Sequence, residues 1–280
     1  KVYDIPQASR NSKGRPMVNV VNLSDDERIT AILPLPEFTG SEFIFMATSM
    51  GTVKKTSLEH FQRPRSSGLI ACELDEGDHL IGVAITDGTK DILLLTDAGK
   101  ANRFNESAVR AMGRTARGVR GIRIQEDQKV ISLVIPEEGG TLLTASDRGY
   151  GKRTDITEFP TKGRGTQGVK AMVVNERNGI IIGAVQVFEN DEVMLISDKG
   201  TLVRTSADSI SCLGRNTQGV RLIKVDEKER LIGVERVCEP EEVDLGIEFV
   251  PADGTQVSEE PSDEVSALDD ENNTTQDSEE

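Results

Sequence analysis

The stretch TLLTASDRGYGKRTDITEFPTKGRGTQG, residues 141–168, decides the reading of the chain because its parts recur. A short apolar run rich in Thr ends in a tight Asp147-Arg148-Gly149 turn, and a second run leads to a polar loop that closes on Gly168. Small polar turns ending in glycine recur at Gly51, Gly99, Gly149 and Gly200, in steps of 48, 50 and 51 residues. Glycine placed after Asp or Ser in this way is hairpin chemistry. A second ladder runs through Gly68, Gly118, Gly168 and Gly219 in steps of 50, 50 and 51, each followed 12 positions later by Leu80, Val130, Ile180 and Leu231. A period near 50 belongs to propellers, solenoids and arrays. An altered earlier copy stands at Gly14, where Ile29 follows after 15 positions, so the chain holds four full repeats and the latter half of a fifth.

Short runs rich in β-branched residues lie between the turns: 43–48, 53–58, 69–74 and 80–86 in one copy, and 193–197 through 232–237 in another. Helical spacing is not sustained for three turns anywhere, and Gly, Asn, Asp and Pro interrupt every 8 to 12 residues. The expectation is all-β, with four strands per repeat arranged as the blades of a propeller-like disc. With two Tyr, eight Phe and no Trp, the blades must pack on Val, Ile and Leu.

The charge is split along the chain. The net charge is −15, yet residues 239–280 hold 16 Asp+Glu and no Lys or Arg, which leaves 32 acids against 33 bases in residues 1–238. The expected organisation is a β domain over 1–238 and a disordered acidic tail over 239–280, too polar to bury a core. No run is apolar for the roughly 18 residues that a membrane helix needs, and Lys1 opens no apolar targeting segment. Cys72, Cys212 and Cys238 are dispersed, which speaks against a disulfide framework or zinc and for a reducing cytoplasm.

Basic residues share the period. Four positions after the first-ladder glycines stand Lys55, Arg103, Arg153 and Arg204, with Lys54 and Lys152 beside two of them. Arg114, Arg164 and Arg215 precede the second-ladder glycines by four, Gly68 is approached by Arg63 and Arg65, and Arg120, Lys170 and Arg221 follow by two. Arg117, Lys162, Arg10, Lys13 and Arg15 fill the loops. Cations at one phase of a repeat occupy one address on every blade, which makes a basic track. Guanidinium groups, small hydroxyl and amide donors and exposed glycine backbone contact phosphate and carry little base-reading information, so the track is expected to hold bent duplex DNA. The competing reading is that these cations solvate exposed strands, and it weighs more on the in-strand set than on the loop set, where acids are nearly absent.

Other signals fail on context. GRGTQG at 163–168 matches a dinucleotide fingerprint in letters but leads into a β run and not a helix, and Arg153 stands where a phosphate loop needs Ser or Thr. His60 and His79 have no ligand-spaced partners, and no nucleophile elbow occurs, so no catalytic residue or metal site is expected.

The copies FMATSMGTVKKT (45–56), TLLTASDRGYGKRT (141–154) and GRNTQGVRLI (214–223) resemble the C-terminal domain of the bacterial DNA gyrase A subunit over residues 1 to about 238. The resemblance implies a β-pinwheel, whose blades exchange strands, that wraps DNA around its rim and serves ATP-dependent negative supercoiling by a type IIA topoisomerase. It implies as partners duplex DNA, the remainder of the gyrase A subunit, and the gyrase B subunit. It places no cofactor here, ATP and magnesium being used elsewhere in the complete enzyme. An acidic tail follows the last blade in some members and tunes wrapping. The family's heptad Gln-Arg-Arg-Gly-Gly-Lys-Gly is absent, so the chain is expected to be a fragment that begins after the first blade and lacks the catalytic core. The alternatives are the corresponding domain of topoisomerase IV and a propeller that docks an acidic protein.

Overall fold

The computed structural model describes residues 5–9, 11–16, 19–21, 23, 27–35, 38, 40–65 and 68–237. These residues belong to the unit Lys1–Glu239. Arg10 and the acidic segment 239–280 lie outside the described residues.

The described residues are all-β apart from single 3-10 turns. The strands are β1 (Phe43–Thr48), β2 (Thr52–Ser57), β3 (Leu80–Thr86), β4 (Asp91–Thr96), β5 (Lys100–Asn105), β6 (Val119–Arg120), β7 (Val130–Val134), β8 (Thr141–Ser146), β9 (Tyr150–Asp155), β10 (Val169–Lys170), β11 (Ile181–Val187), β12 (Glu192–Ser197), β13 (Leu202–Ser206), β14 (Val220–Arg221) and β15 (Leu231–Val237). They form four antiparallel sheets in the orders β3-β1-β2-β6, β7-β4-β5-β10, β11-β8-β9-β14 and β15-β12-β13. Each is a blade in a propeller-like arrangement. The inner strands β3, β7, β11 and β15 line an open pocket of about 300 Å³ through residues such as Ile81, Leu133, Ile182 and Val234.

Neighbouring blades pack face to face, so alternate residues of one strand enter different cores. Ile92 and Leu94 of β4 join Phe45, Ala47 and Val53 of the first blade. Leu93 and Leu95 turn the other way, onto Leu142. Burial on both faces explains why the run reads as continuously apolar and not alternating. At the last blade Val193 and Leu195 face the third blade while Met194 and Ile196 are only half-buried, because no further sheet covers them among the described residues.

The outermost strand of each complete blade comes from the next repeat. The run 69–74, expected as a strand of its own blade, forms none. Its sister segments show a different use: only two residues pair, and they pair across, Val119 with Val53, Val169 with Ala101 and Val220 with Gly151. Three second-ladder glycines are set by this crossing. Gly168 has φ +69, and a Cβ there would sit 2.1 Å from the Ala101 carbonyl oxygen; Gly118 and Gly219 approach Val53 and Gly151 similarly, at 2.5 and 2.6 Å. Gly68 keeps a positive φ but meets nothing within 4 Å. One spacing slips: Ile180 is exposed, and Ile181 takes the inner place opposite Ser146 that Leu80, Val130 and Leu231 take elsewhere.

Gly68→Ala is expected to cost about 1–2 kcal/mol, the strain of a left-handed residue. Gly168→Ala should cost about 3 kcal/mol or more, because the acceptor strand must also move. Denaturant midpoints of the two variants check this; equal losses would mean that close approach is not the reason for the glycine.

Candidate nucleic-acid interface

Each crossing segment reaches the preceding blade by the same route. After the second strand of its own hairpin the chain makes a 3-10 turn, such as Glu106–Ala108, capped by the Asn105 side chain accepting from the Ser107 amide at 3.0 Å. It then touches the acceptor strand in parallel, with Met112 N donating to Lys55 O, Lys162 N to Arg103 O and Leu213 N to Arg153 O. A polar arch follows, and the chain returns antiparallel as the exchanged strand.

The in-strand basic residues hold this arch. Lys54 and Lys152 are 2% and 0% exposed. The Lys152 ammonium donates to the Gly214 and Arg215 carbonyls at 2.6 and 2.8 Å and to Thr217 Oγ1 at 3.1 Å. Lys54 donates to the carbonyls of Ala71 and Arg114. Asn102 does the same work in the second blade, donating to the Gly121 and Gly163 carbonyls and accepting from Thr166. Burial lowers the pKa of Lys54, and it lowers that of Lys152 to about 8.

Lys55, Arg103, Arg153 and Arg204 are also committed internally. Lys55 is buried against Glu106 at 3.4 Å and lies over the Phe43 ring. Arg103 pairs with Asp91 at 2.8 Å and donates to the Ile156 and Phe159 carbonyls. Burial opposes ionisation of Asp91, but hydrogen bonds from Arg103, Asn105 and Thr161 hold its carboxyl below the usual range. Arg153 pairs with Asp208 and Arg204 with Glu192. Burial and carboxylate pairing tie Lys55, Arg103 and Arg153 into the fold, while Arg204 is exposed and pairs with Glu192 at the surface of the last blade.

The loop set divides. Arg114, Arg164 and Arg215 each reach one loop back and donate to the carbonyls of Ile70, Arg120 and Lys170, at 3.2, 3.3 and 3.1 Å. They tie successive arches together, and Arg114 and Arg215 are half-buried. Arg117 is exposed but paired with Asp75 at 2.8 Å and Glu73 at 3.7 Å. Arg63, Arg65, Lys162, Lys13 and Arg15 are exposed.

Arg120, Lys170 and Arg221 stand out. They are the exposed second residues of the exchanged strands, in register with Thr52, Lys100 and Tyr150 of the acceptor strands. Arg120, Lys170 and Arg221 form no ion pair with a carboxylate among the described residues, and Lys170 faces Lys100 directly. Like charges opposite one another on a sheet are destabilising unless an anion lies between them. The period does not mark Lys100, whose counterparts are not basic, or the exposed Arg110 and Arg177; the exposed Arg123 and Lys224 share a phase, five positions after Gly118 and Gly219, that Glu73 and Val173 occupy in the other copies. A row of cations on neighbouring blades, beside amide and hydroxyl donors, can hold a run of phosphates. No group of three or more metal-ligating side chains occurs among the described residues, nor does a helix long and apolar enough to cross a membrane.

A family model described as DNA gyrase C-terminal domain, beta-propeller, matches residues 1–36, 42–87, 90–137, 140–187 and 191–238. The DNA gyrase A subunit of Salmonella typhimurium is 56% identical over 240 residues, which cover 86% of this chain and 27% of that protein. Its Escherichia coli K12 counterpart is 53% identical over 246 residues, covering 88% and 28%. Of the solved structures, the C-terminal domain of DNA topoisomerase IV superposes with a TM-score of 0.79 at 28% identity, covering 84% of this chain and 74% of that one. The DNA gyrase A C-terminal domain superposes at 0.73 and 25% identity, covering 81% and 76%. The chain spans less than a third of the length of these curated relatives.

The buried Lys152 carries a pH signature. Its folded pKa of about 8 lies below the 10.5 of the free side chain, so between those values the unfolded chain binds the extra proton and stability rises with pH, by up to about 3 kcal/mol. Lys152→Asn, which copies Asn102, should flatten that rise in denaturation measured from pH 8 to 10.5. An unchanged slope would show that Lys152 is not the group responsible.

Proposed function

Because the chain belongs to the DNA gyrase C-terminal domain family, we propose that it binds duplex DNA without sequence preference and bends it along the exchanged strands. The observation that carries this reading is the row Arg120, Lys170 and Arg221: exposed, one blade apart and without carboxylate partners among the described residues. A stiff duplex bent through 40 to 90 degrees over 20 to 30 base pairs costs on the order of 1–6 kcal/mol, so contacts must be distributed along the path. Strand exchange supplies them at blade intervals.

Within a complete gyrase A subunit, working with the gyrase B subunit, the role is to present the bent segment to the cleavage machinery for ATP-dependent supercoiling. ATP and magnesium serve that machinery, and the chain itself is expected to cleave no DNA and hydrolyse no ATP. The setting is the bacterial cytoplasm. The curated sequence relatives above are gyrase subunits, which favours gyrase over topoisomerase IV. The acidic segment 239–280, with 16 carboxylates and no Lys or Arg, competes as a tethered polyanion for the same cations.

Neutralising about six to ten phosphates should make affinity for a short duplex fall roughly 10³- to 10⁵-fold between 50 and 200 mM salt. Replacing Arg120, Lys170 and Arg221 together by Ala should weaken binding far more than replacing Arg103, Arg153 and Arg204. A flat salt profile, or affinity that does not grow with duplex length, contradicts wrapping and favours a protein-docking module. Truncation after Cys238 should tighten binding most at low salt, where the Debye length is long; equal affinity at about 50 mM salt would show that the tail does not compete.

A further inference from the structure

Two guanidinium groups converge on one phenol oxygen at the outer edge of the third blade. Tyr150 opens β9 and stands in register with Arg221 of the exchanged β14. Arg177 comes from the turn between β10 and β11, where the Asn175 side chain accepts from the amides of Arg177 and Asn178 at 3.0 and 3.3 Å and thereby fixes the turn. Arg221 Nη2 donates to the Tyr150 hydroxyl at 3.0 Å and Arg177 Nε at 3.5 Å. The two guanidinium carbons lie 5.5 and 5.1 Å from the ring centroid. Met172 and Ile181 pack with the ring, which fixes the phenol that gathers both cations.

Neither arginine has a carboxylate partner among the described residues, unlike Arg103, Arg153, Arg204 and Arg236. Two cations held within reach of one oxygen repel each other, and a third group of opposite charge relieves that repulsion. The phenol accepts two hydrogen bonds and keeps its own O–H to donate. Both guanidinium groups retain unused N–H donors in a planar fork, the geometry that suits a phosphate. The hydrogen bonds from Arg221 and then Arg177 also lower the pKa of the Tyr150 phenol. Nothing in the repeat requires the cluster: Thr52 and Lys100 stand where Tyr150 does, and Gly77, Asp127 and Lys228 stand where Arg177 does.

We propose that Arg177, Tyr150 and Arg221 form a phosphodiester clamp that grips the duplex at the third blade more tightly than the repeated rim positions do. The clamp rests on the DNA-binding reading above and adds to it a fixed point on the path.

The test uses the full chain and a fluorescent duplex of about 30 base pairs, a length within one persistence length of DNA. Arg177→Ala/Arg221→Ala should bind roughly 30-fold more weakly at low salt and lower the slope of log affinity against log salt by about 0.9, one phosphate contact's worth. The matched control Lys90→Ala/Arg236→Ala removes cations that already have carboxylates, Asp87 and Asp191, and should change affinity by less than about threefold. Thermal melts of all variants should coincide with that of the parent.

A second readout is local. In a Tyr3→Phe chain Tyr150 is the single tyrosine, and its phenolate absorbance follows the cluster. A phosphate that neutralises the arginines removes what favours ionisation, so bound duplex should raise the titration midpoint, and millimolar inorganic phosphate should raise it less. If the parent does not bind duplex, the DNA reading fails and the clamp with it. If the parent binds but the double variant is no weaker than its control, or if free phosphate moves Tyr150 and duplex does not, the clamp alone is overturned.

Discussion

Everything in this fold hangs on a backbone crossing two residues long. A pair such as Val169–Lys170 leaves its own repeat and closes the edge of the preceding blade. Two hydrogen-bonded residues are too few to hold a strand in place by themselves. The crossing is held by what surrounds it: a left-handed glycine whose missing Cβ admits the acceptor carbonyl, a buried Lys or Asn that gathers the arch carbonyls, and an arginine from the next arch that caps the exchanged strand. Each device joins one repeat to its neighbour, so stability runs along the chain as nearest-neighbour terms.

The same constraint sorts the positive charge. A cation whose side chain points into the arch is desolvated, loses some of its affinity for a proton, and is tied to carbonyls, as Lys152 is. A cation placed on the exchanged strand itself points outward, and no carboxylate among the described residues pairs with Arg120 or Lys170. Residue type is therefore a poor guide to role here, and position relative to the crossing is a good one. The last blade shows the converse. Val203 stands where Lys54, Asn102 and Lys152 anchor an arch, and Leu202 is 57% exposed where Val53 and Ala101 are buried. No arch crosses onto that edge among the described residues.

Much of this is legible in the residues alone. The two glycine ladders carry the period because most copies face the same steric demand, and all the short β-branched runs but 69–74 form strands. The phase of Arg120, Lys170 and Arg221 is visible for the same reason. What escapes has particular causes. A two-residue strand has no periodicity, so 69–74 looks like an ordinary fourth strand. Val53 and Lys54 are both buried, which defeats the alternation rule that places Lys54 on a solvent face. Ile180 misleads because the turn at Asn175 holds one more residue than its sisters. Lys100 and Arg177 are passed over because a search by phase finds what every copy shares, and these two side chains are what single copies add.

The central claim is that strand exchange separates structural cations from phosphate-binding ones. Lysine acetylation mapped by mass spectrometry, with and without duplex DNA, measures that separation in one experiment. Lys100 and Lys170 should be modified in the free chain and protected when duplex is bound, while Lys54 and Lys152 stay unmodified in both. Modification of Lys54 and Lys152 in the free chain followed by protection on binding, or indifference of Lys100 and Lys170 to duplex, would contradict it.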